Sequence, residues 1–194
     1  MKRILNKRGI VLLVCLALLL VSAGITLAFV HTSTPTVENT FTPAQVSCAV
    51  VETVENQLKS NVMIRNTGDT AAYIRVAVVV TWKYTDTDGI DHVYATAPVE
   101  GTDYSIDWAF DDAAPTDWIP GNDGYYYFTT AVDPNFTTQT LINTCNLLPA
   151  ATVPDGYQLS VEIVASAIQA EPAYVVTDQW GVTVSSDGVI TQVP

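Results

Sequence analysis

Positive charge and histidine are both scarce in this chain. Its 194 residues hold eight Lys and Arg against twenty Asp and Glu, a formal net charge of -12, and only two histidines, His31 and His92. Half of the cations, Lys2, Arg3, Lys7 and Arg8, precede an uncharged apolar run over residues 9–30. Without that leader, Lys59, Arg65, Arg75 and Lys83 would face the same twenty acids, a net of -16. Such a polyanion cannot neutralise phosphates, which excludes holding a nucleic-acid backbone by charge. The histidines have no His-Glu-x-x-His spacing, so the two imidazoles and glutamate base of a zinc hydrolase are missing. Neither a Gly-x-Ser-x-Gly elbow nor a Cys-x-x-Cys pair occurs. We therefore assign no catalytic, cofactor-binding or metal-ligating residue and expect a protein that is not an enzyme. Scarcity of charge, 14% of residues, does not mean disorder: with 48% hydrophobic residues the chain can bury enough apolar surface to offset its entropy.

What is present begins with an export signal. The basic stretch MKRILNKRG leads into IVLLVCLALLLVSAGITLA, and Thr26 and Ala28 supply the small residues a signal peptidase requires. Cleavage is expected between Ala28 and Phe29. This divides the chain into a signal peptide over 1–28, expected as an N-terminal signal helix, an extended segment over 29–40 and a folded domain over 41–194. The apolar run is also long enough to span a bilayer, so an uncleaved leader would serve as an anchor, the one contact with a membrane. Loss of Cys15 with the leader leaves an even pair, Cys48 and Cys145, in a disulfide-permissive compartment. Bridged, they would close a loop worth roughly 4–5 kcal/mol in the chain-entropy model. The alternative is two thiols that enter the core separately.

The folded part has a period of two. Over AYIRVAVVVTWKY, Ile74, Val76, Val78, Val80 and Trp82 share one face, and Arg75, Val79 and Lys83 the other. YQLSVEIVASAIQA repeats the pattern with Leu159, Val161, Ile163, Ala165 and Ala167. β-Branched density disfavours a helix in both. Shorter strands are expected at 45–54, 61–65, 91–94, 104–108, 124–130 and 138–144. Asn66-Thr-Gly68-Asp69, Asp88-Gly89, Asp155-Gly156 and Asp187-Gly188 mark turns, Asp88-Gly89 that of a hairpin. Residues 110–122 read as a surface loop, and a short helical turn is expected there or near 172–179. Many short strands with regular turns predict an all-β, antiparallel sandwich. Trp82 and Trp180 are expected in its core, and Arg75 is expected to pair with an acid such as Glu162.

Three further groups invite function. Asp86, Asp88 and Asp91, or Asp107, Asp111 and Asp112, offer oxygen ligands to calcium but lack the full loop spacing; the plain alternative is a solvated turn. Trp108, Trp118, Tyr125, Tyr126, Tyr127 and Phe128 would stack on sugar rings if exposed, which makes an extracellular carbohydrate-binding module the second functional class. Phe29, Val30, His31, Thr32, Ser33 and Thr34 alternate at the start of the extended segment 29–37, which Pro35 interrupts as an edge or strand end would allow, and cleavage would free it as a candidate donor strand. The plain alternative is a flexible leader.

GITLAF at the leader's end, Asn39-Thr40-Phe41, NTGDTAAYIRVAVVVTW, WIPGNDGYYYF and VEIVASAIQA together resemble the TasA/camelysin-like secreted proteins of Gram-positive bacteria. These carry a SipW-dependent-type signal peptide, and their best-known members form biofilm matrix fibres. The resemblance implies a jelly-roll-like sandwich, residence in the extracellular matrix or at the cell surface, and, for the fibre-forming members, donor-strand complementation. Its implied partners are a second copy or another matrix subunit, with a signal peptidase during export. Camelysin-like proteins have been described as metallopeptidases, a property the two histidines of this chain do not match.

Overall fold

The computed structural model describes residues 44–55, 58–112 and 117–194, together with Cys15. The chain divides into Met1–Thr42 and Pro43–Pro194, and everything below concerns the second unit. The cleavage site at Ala28 and Phe29, the segment Phe29 to Thr34 and the expected signal helix lie outside the described residues. Among those that are described, no helix is long and apolar enough to cross a membrane.

The strands of the unit pair antiparallel in every sheet. Its first sheet contains β1 (Cys48–Glu55), β2 (Leu58–Asn66), β5 (Tyr104–Trp108) and β8 (Ile142–Leu147), in the order β1-β2-β8-β5. The second is built on β3 (Ala72–Thr85), with β9 (Gln158–Gln169) along one side over twelve consecutive pairs. The other side of β3 is shared by β4 (Asp91–Val93) at one end and β7 (Tyr125–Phe128) at the other, with β6 (Trp118–Pro120) outside β7. The helix α1 (Tyr174–Trp180) and the ribbon of β10 (Thr183–Val184) and β11 (Ile190–Gln192) complete the chain.

Alternation along the strands determines what lies between the layers. Val62 and Ile64 of β2, Ile142 of β8, Ile74 and Val76 of β3, Trp118 of β6 and Phe128 of β7 form one buried cluster, so the two sheets face each other. Trp82, Tyr104, Cys145, Leu159 and Val161 continue this core toward the other end of β3. Burial of each large aliphatic side chain contributes about 1.5–3 kcal/mol. On the outer face of the second sheet, Tyr73 and Tyr127 pack with Val176 and Trp180 of α1 and with Ile190. Tyr73 also donates from its hydroxyl to the Gly188 carbonyl at 2.9 Å. One end of β3 is thus buried on both faces.

The turns are fixed by side chains. Asn66 is fully buried and has every polar atom satisfied: Nδ2 donates to the Thr70 and Val132 carbonyls at 2.8 Å each, and Oδ1 accepts from Gly68 N–H at 2.9 Å. A Cβ on Gly68 would collide with the Gln45 carbonyl, which is why the Asn-Thr-Gly turn needs glycine. The Asp88-Gly89 hairpin forms as expected, with Gly89 at φ 79° and Asp86 N–H bonded to the Ile90 carbonyl at 2.9 Å. Three strands were not anticipated: β6, inside the segment read as a loop over 110–122, and the short β10 and β11 that flank the expected Asp187-Gly188 turn.

Candidate functional site

β9 is the longest strand of the unit after β3, and among the described residues its partner is β3 alone. Among the described residues β1 likewise pairs with β2 alone. These two outer strands belong to different sheets and approach each other on one side of the molecule. An open cavity of about 260 Å³ lies there, lined by Val54 and Lys59 from the first sheet and by Lys83, Gln158, Leu159 and Ser160 from the second.

An unpaired strand edge offers backbone donors and acceptors to any added strand, and proteins usually disturb such edges. Here β1 carries an irregularity between Val51 and Thr53. Glu52, at that point, forms an ion pair with Lys59 at 2.7 Å. Its second oxygen, Oε2, is buried and accepts no hydrogen bond from the described residues. Across the cavity Lys83 is held by Asp91 at 2.7 Å and by Glu162 at 3.3 Å. Those carboxylates raise the Lys83 pKa above its ordinary value, Asp91 contributing most. Val164, exposed on the outer face of β9, adds apolar surface near the edge.

The expected disulfide is absent: Cys48 and Cys145 are both free thiols. Sheet register explains why. Cys48 pairs with Asn66 at one end of β2, whereas Ser60, near the other end, pairs with Thr144, next to Cys145. The two sulfurs therefore occupy opposite ends of the sheet and enter different parts of the core, Cys48 beside Val62 and Ile64, Cys145 beside Trp82 and Tyr104. Burial raises both thiol pKa values, that of Cys145 to about 11.

Arg75 does not pair with Glu162. It lies opposite Ser166, while Glu162 lies opposite Val79, four positions along β3. Its guanidinium instead sits over the rings of Tyr125, at 4.1 Å, and Trp180, at 4.8 Å. Trp82 is buried in the sandwich core as expected, whereas Trp180 is buried outside it, against Tyr127 on the outer face of the second sheet.

The aromatic run does not form an open row. Trp118, Tyr127 and Phe128 are buried, Tyr125 covers Arg75, and Trp108, Phe110 and Tyr126 stack together against the main core. The acids of the β3–β4 hairpin are engaged internally. Asp86 accepts from Asp88 and Ile90 N–H and meets His92 Nε2 at 2.8 Å, and Asp91 meets Lys83 and Thr85. Among the described residues no three His, Cys, Asp or Glu side chains are grouped to hold a metal ion.

Three tyrosines that the sequence did not single out are brought together with His92. Tyr84 stacks on His92 at 5.9 Å between ring centres, and Tyr157 meets Tyr84 at 6.0 Å and Tyr94 at 5.2 Å. Tyr84, His92 and Tyr94 belong to one hairpin, but Tyr157 is distant in sequence, so no local motif marks the group. No family model matches the chain, nor does any curated protein or solved structure.

Proposed function

We propose that this chain is a secreted, non-catalytic structural protein of the cell surface or biofilm matrix of a Gram-positive bacterium, and that it self-associates or joins another matrix subunit by strand donation. In this reading the sandwich is jelly-roll-like and the leader is removed by a signal peptidase between Ala28 and Phe29. The freed segment beginning Phe29-Val30-His31-Thr32-Ser33-Thr34 then adds to the open side of a neighbour.

The observation that carries the reading is the twelve-residue β9, one side paired along its length and the other without a strand partner among the described residues, beside a cavity that it shares with β1. An added strand gains affinity from its backbone ladder and specificity from alternate side chains, so it needs length more than particular contacts. Val54 and Leu159 offer apolar contact there. The resemblance to TasA/camelysin-like proteins supports the same mode of assembly.

Electron microscopy tests this directly. The product beginning at Phe29 is expected to form filaments, and a version that lacks residues 29–37 is expected to remain monodisperse. Monodisperse particles from both would refute strand donation, as would filaments from both.

A further inference from the structure

We propose a second site, independent of strand donation: the cavity beside the β3–β4 hairpin binds a neutral pyranose glycan, with Tyr94 as the stacking ring, Tyr157, itself backed by Tyr84, as the ring that holds it edge to face, and Asp103, Thr96 and Thr152 as hydrogen-bonding groups. The cavity measures about 340 Å³, within the usual range for small-molecule pockets. Its walls include Trp82, Tyr94, Thr96, Asp103, Thr152 and Pro154. Trp82 is 3% exposed and makes a fixed floor, whereas Tyr94 at the rim is 43% exposed and Tyr84 beyond it 41%.

A single exposed ring on a protein surface needs no explanation. Here Tyr94, Tyr157, Tyr84 and His92 run contiguously outward from the cavity, each ring centre 5.2 to 6.0 Å from the next. Tyr157 is partly buried against the cluster of Trp82 and Tyr104 and meets Tyr94 edge to face at 63°, so Tyr94 offers an exposed ring on a fixed support. A tyrosine ring has an apolar face and a polar tip. A pyranose is matched to it, with C–H groups on one face and hydroxyls around its edge.

Asp103 gives the cavity both rigidity and a preference for donors. One carboxylate oxygen accepts from Val99 N–H at 2.8 Å and the other from Thr152 N–H at 3.4 Å, which ties together two loops that wall the site. An ionised carboxylate has about four acceptor positions, so capacity remains for sugar hydroxyls. The same chemistry selects among ligands. A proline-rich peptide, the other common occupant of tyrosine-lined grooves, presents carbonyl acceptors and few N–H donors, which Asp103 cannot use. An anionic polymer is repelled by a chain of net charge -12.

The test is isothermal titration calorimetry on the full chain, solubilised in a sugar-free detergent, with hexasaccharides of glucose, N-acetylglucosamine, mannose, galactose and xylose as separate probes and decaproline as the competing ligand. At least one sugar is expected to bind saturably and to protect residues 96–103 and 152–157 from hydrogen–deuterium exchange. Tyr94→Ala and Tyr157→Ala are each expected to weaken that binding about tenfold. Tyr94→Phe keeps the ring and is expected to retain it. Absence of heat with all five sugars would overturn the proposal, as would undiminished binding by both alanine variants, or binding of decaproline in place of every sugar.

Discussion

Arg75 illustrates how one side chain joins two layers of the molecule. It projects from the outer face of β3 between Tyr125 of β7 and Trp180 of α1, and its Nε is buried without a hydrogen-bond partner among the described residues. The two rings supply the attraction that a carboxylate would otherwise provide, and a desolvated cation over an aromatic face gains about 2 kcal/mol. Arg75→Ala is expected to lower stability by roughly that amount and to loosen α1, read as faster amide exchange over residues 174–180 with the main core still protected. The mistaken expectation of a Glu162 partner has a plain cause. The sequence shows that both strands alternate, but the pairing register, Arg75 opposite Ser166, depends on how far one strand slides along the other. The same holds for Cys48 and Cys145, whose even number after the expected loss of Cys15 suggests a bridge that the sheet geometry excludes.

Among the elements, the β3–β4 hairpin makes the clearest prediction. Asp86 is held below its ordinary value of 3.8, chiefly by His92 and next by Ile90 N–H, and Asp91 is lowered by Lys83 and then Thr85. A carboxylate with a depressed pKa contributes stability that is complete above its unfolded value and lost as pH falls through the folded one. Lys83, raised above 10.5, acts in the opposite sense and loses its contribution as pH rises beyond that value. The hairpin is therefore expected to be firmest between about pH 4 and 10.5 and to loosen below that window, with the Ile90 and Asp88 amide resonances shifting together on acid titration. Asp86→Asn retains an acceptor for both N–H groups and is expected to remove the Asp86 part of the acid transition while keeping the turn.

Length governs which elements were legible. β3 and β9 are long enough for alternation to be unmistakable, and β5 falls where Tyr104-Ser-Ile-Asp-Trp108 predicts it. β6, only Trp118–Pro120, is too short to alternate and ends on a proline, tolerable because that strand pairs on one side with β7 alone. The strand expected over 138–144 is observed at Ile142–Leu147. Before it, Thr138 and Leu141 are bonded to Ile64 and Val62 carbonyls outside a regular ladder, so their burial resembles a strand's. The four-ring surface was illegible because Tyr84, Tyr94 and Tyr157 meet only after β3 pairs with both β4 and β9.

At the scale of the whole molecule, charge opposes the proposed assembly. Copies that each carry a net charge of -12, or -16 without the leader, repel until salt screens them. Raising the salt from about 0.01 to 1 M shortens the screening length from about 30 to 3 Å. The concentration at which filaments of the Phe29 product first appear, followed by light scattering, is therefore expected to fall over that range. A salt-independent onset would mean that the joined surfaces lie far from the carboxylates.

The pairing of β3 with β9 also sets an order of events during synthesis. Ala72 must find Gln169 and Lys83 must find Gln158, so the central strand acquires one whole side only when the C-terminal part of the chain has been made. Contacts so distant along the chain are slow to form because loop closure comes before any reward. A nascent polypeptide of this design keeps β3 bare along one side until β9 emerges, so the sandwich closes late and its apolar strands need protection in the interval.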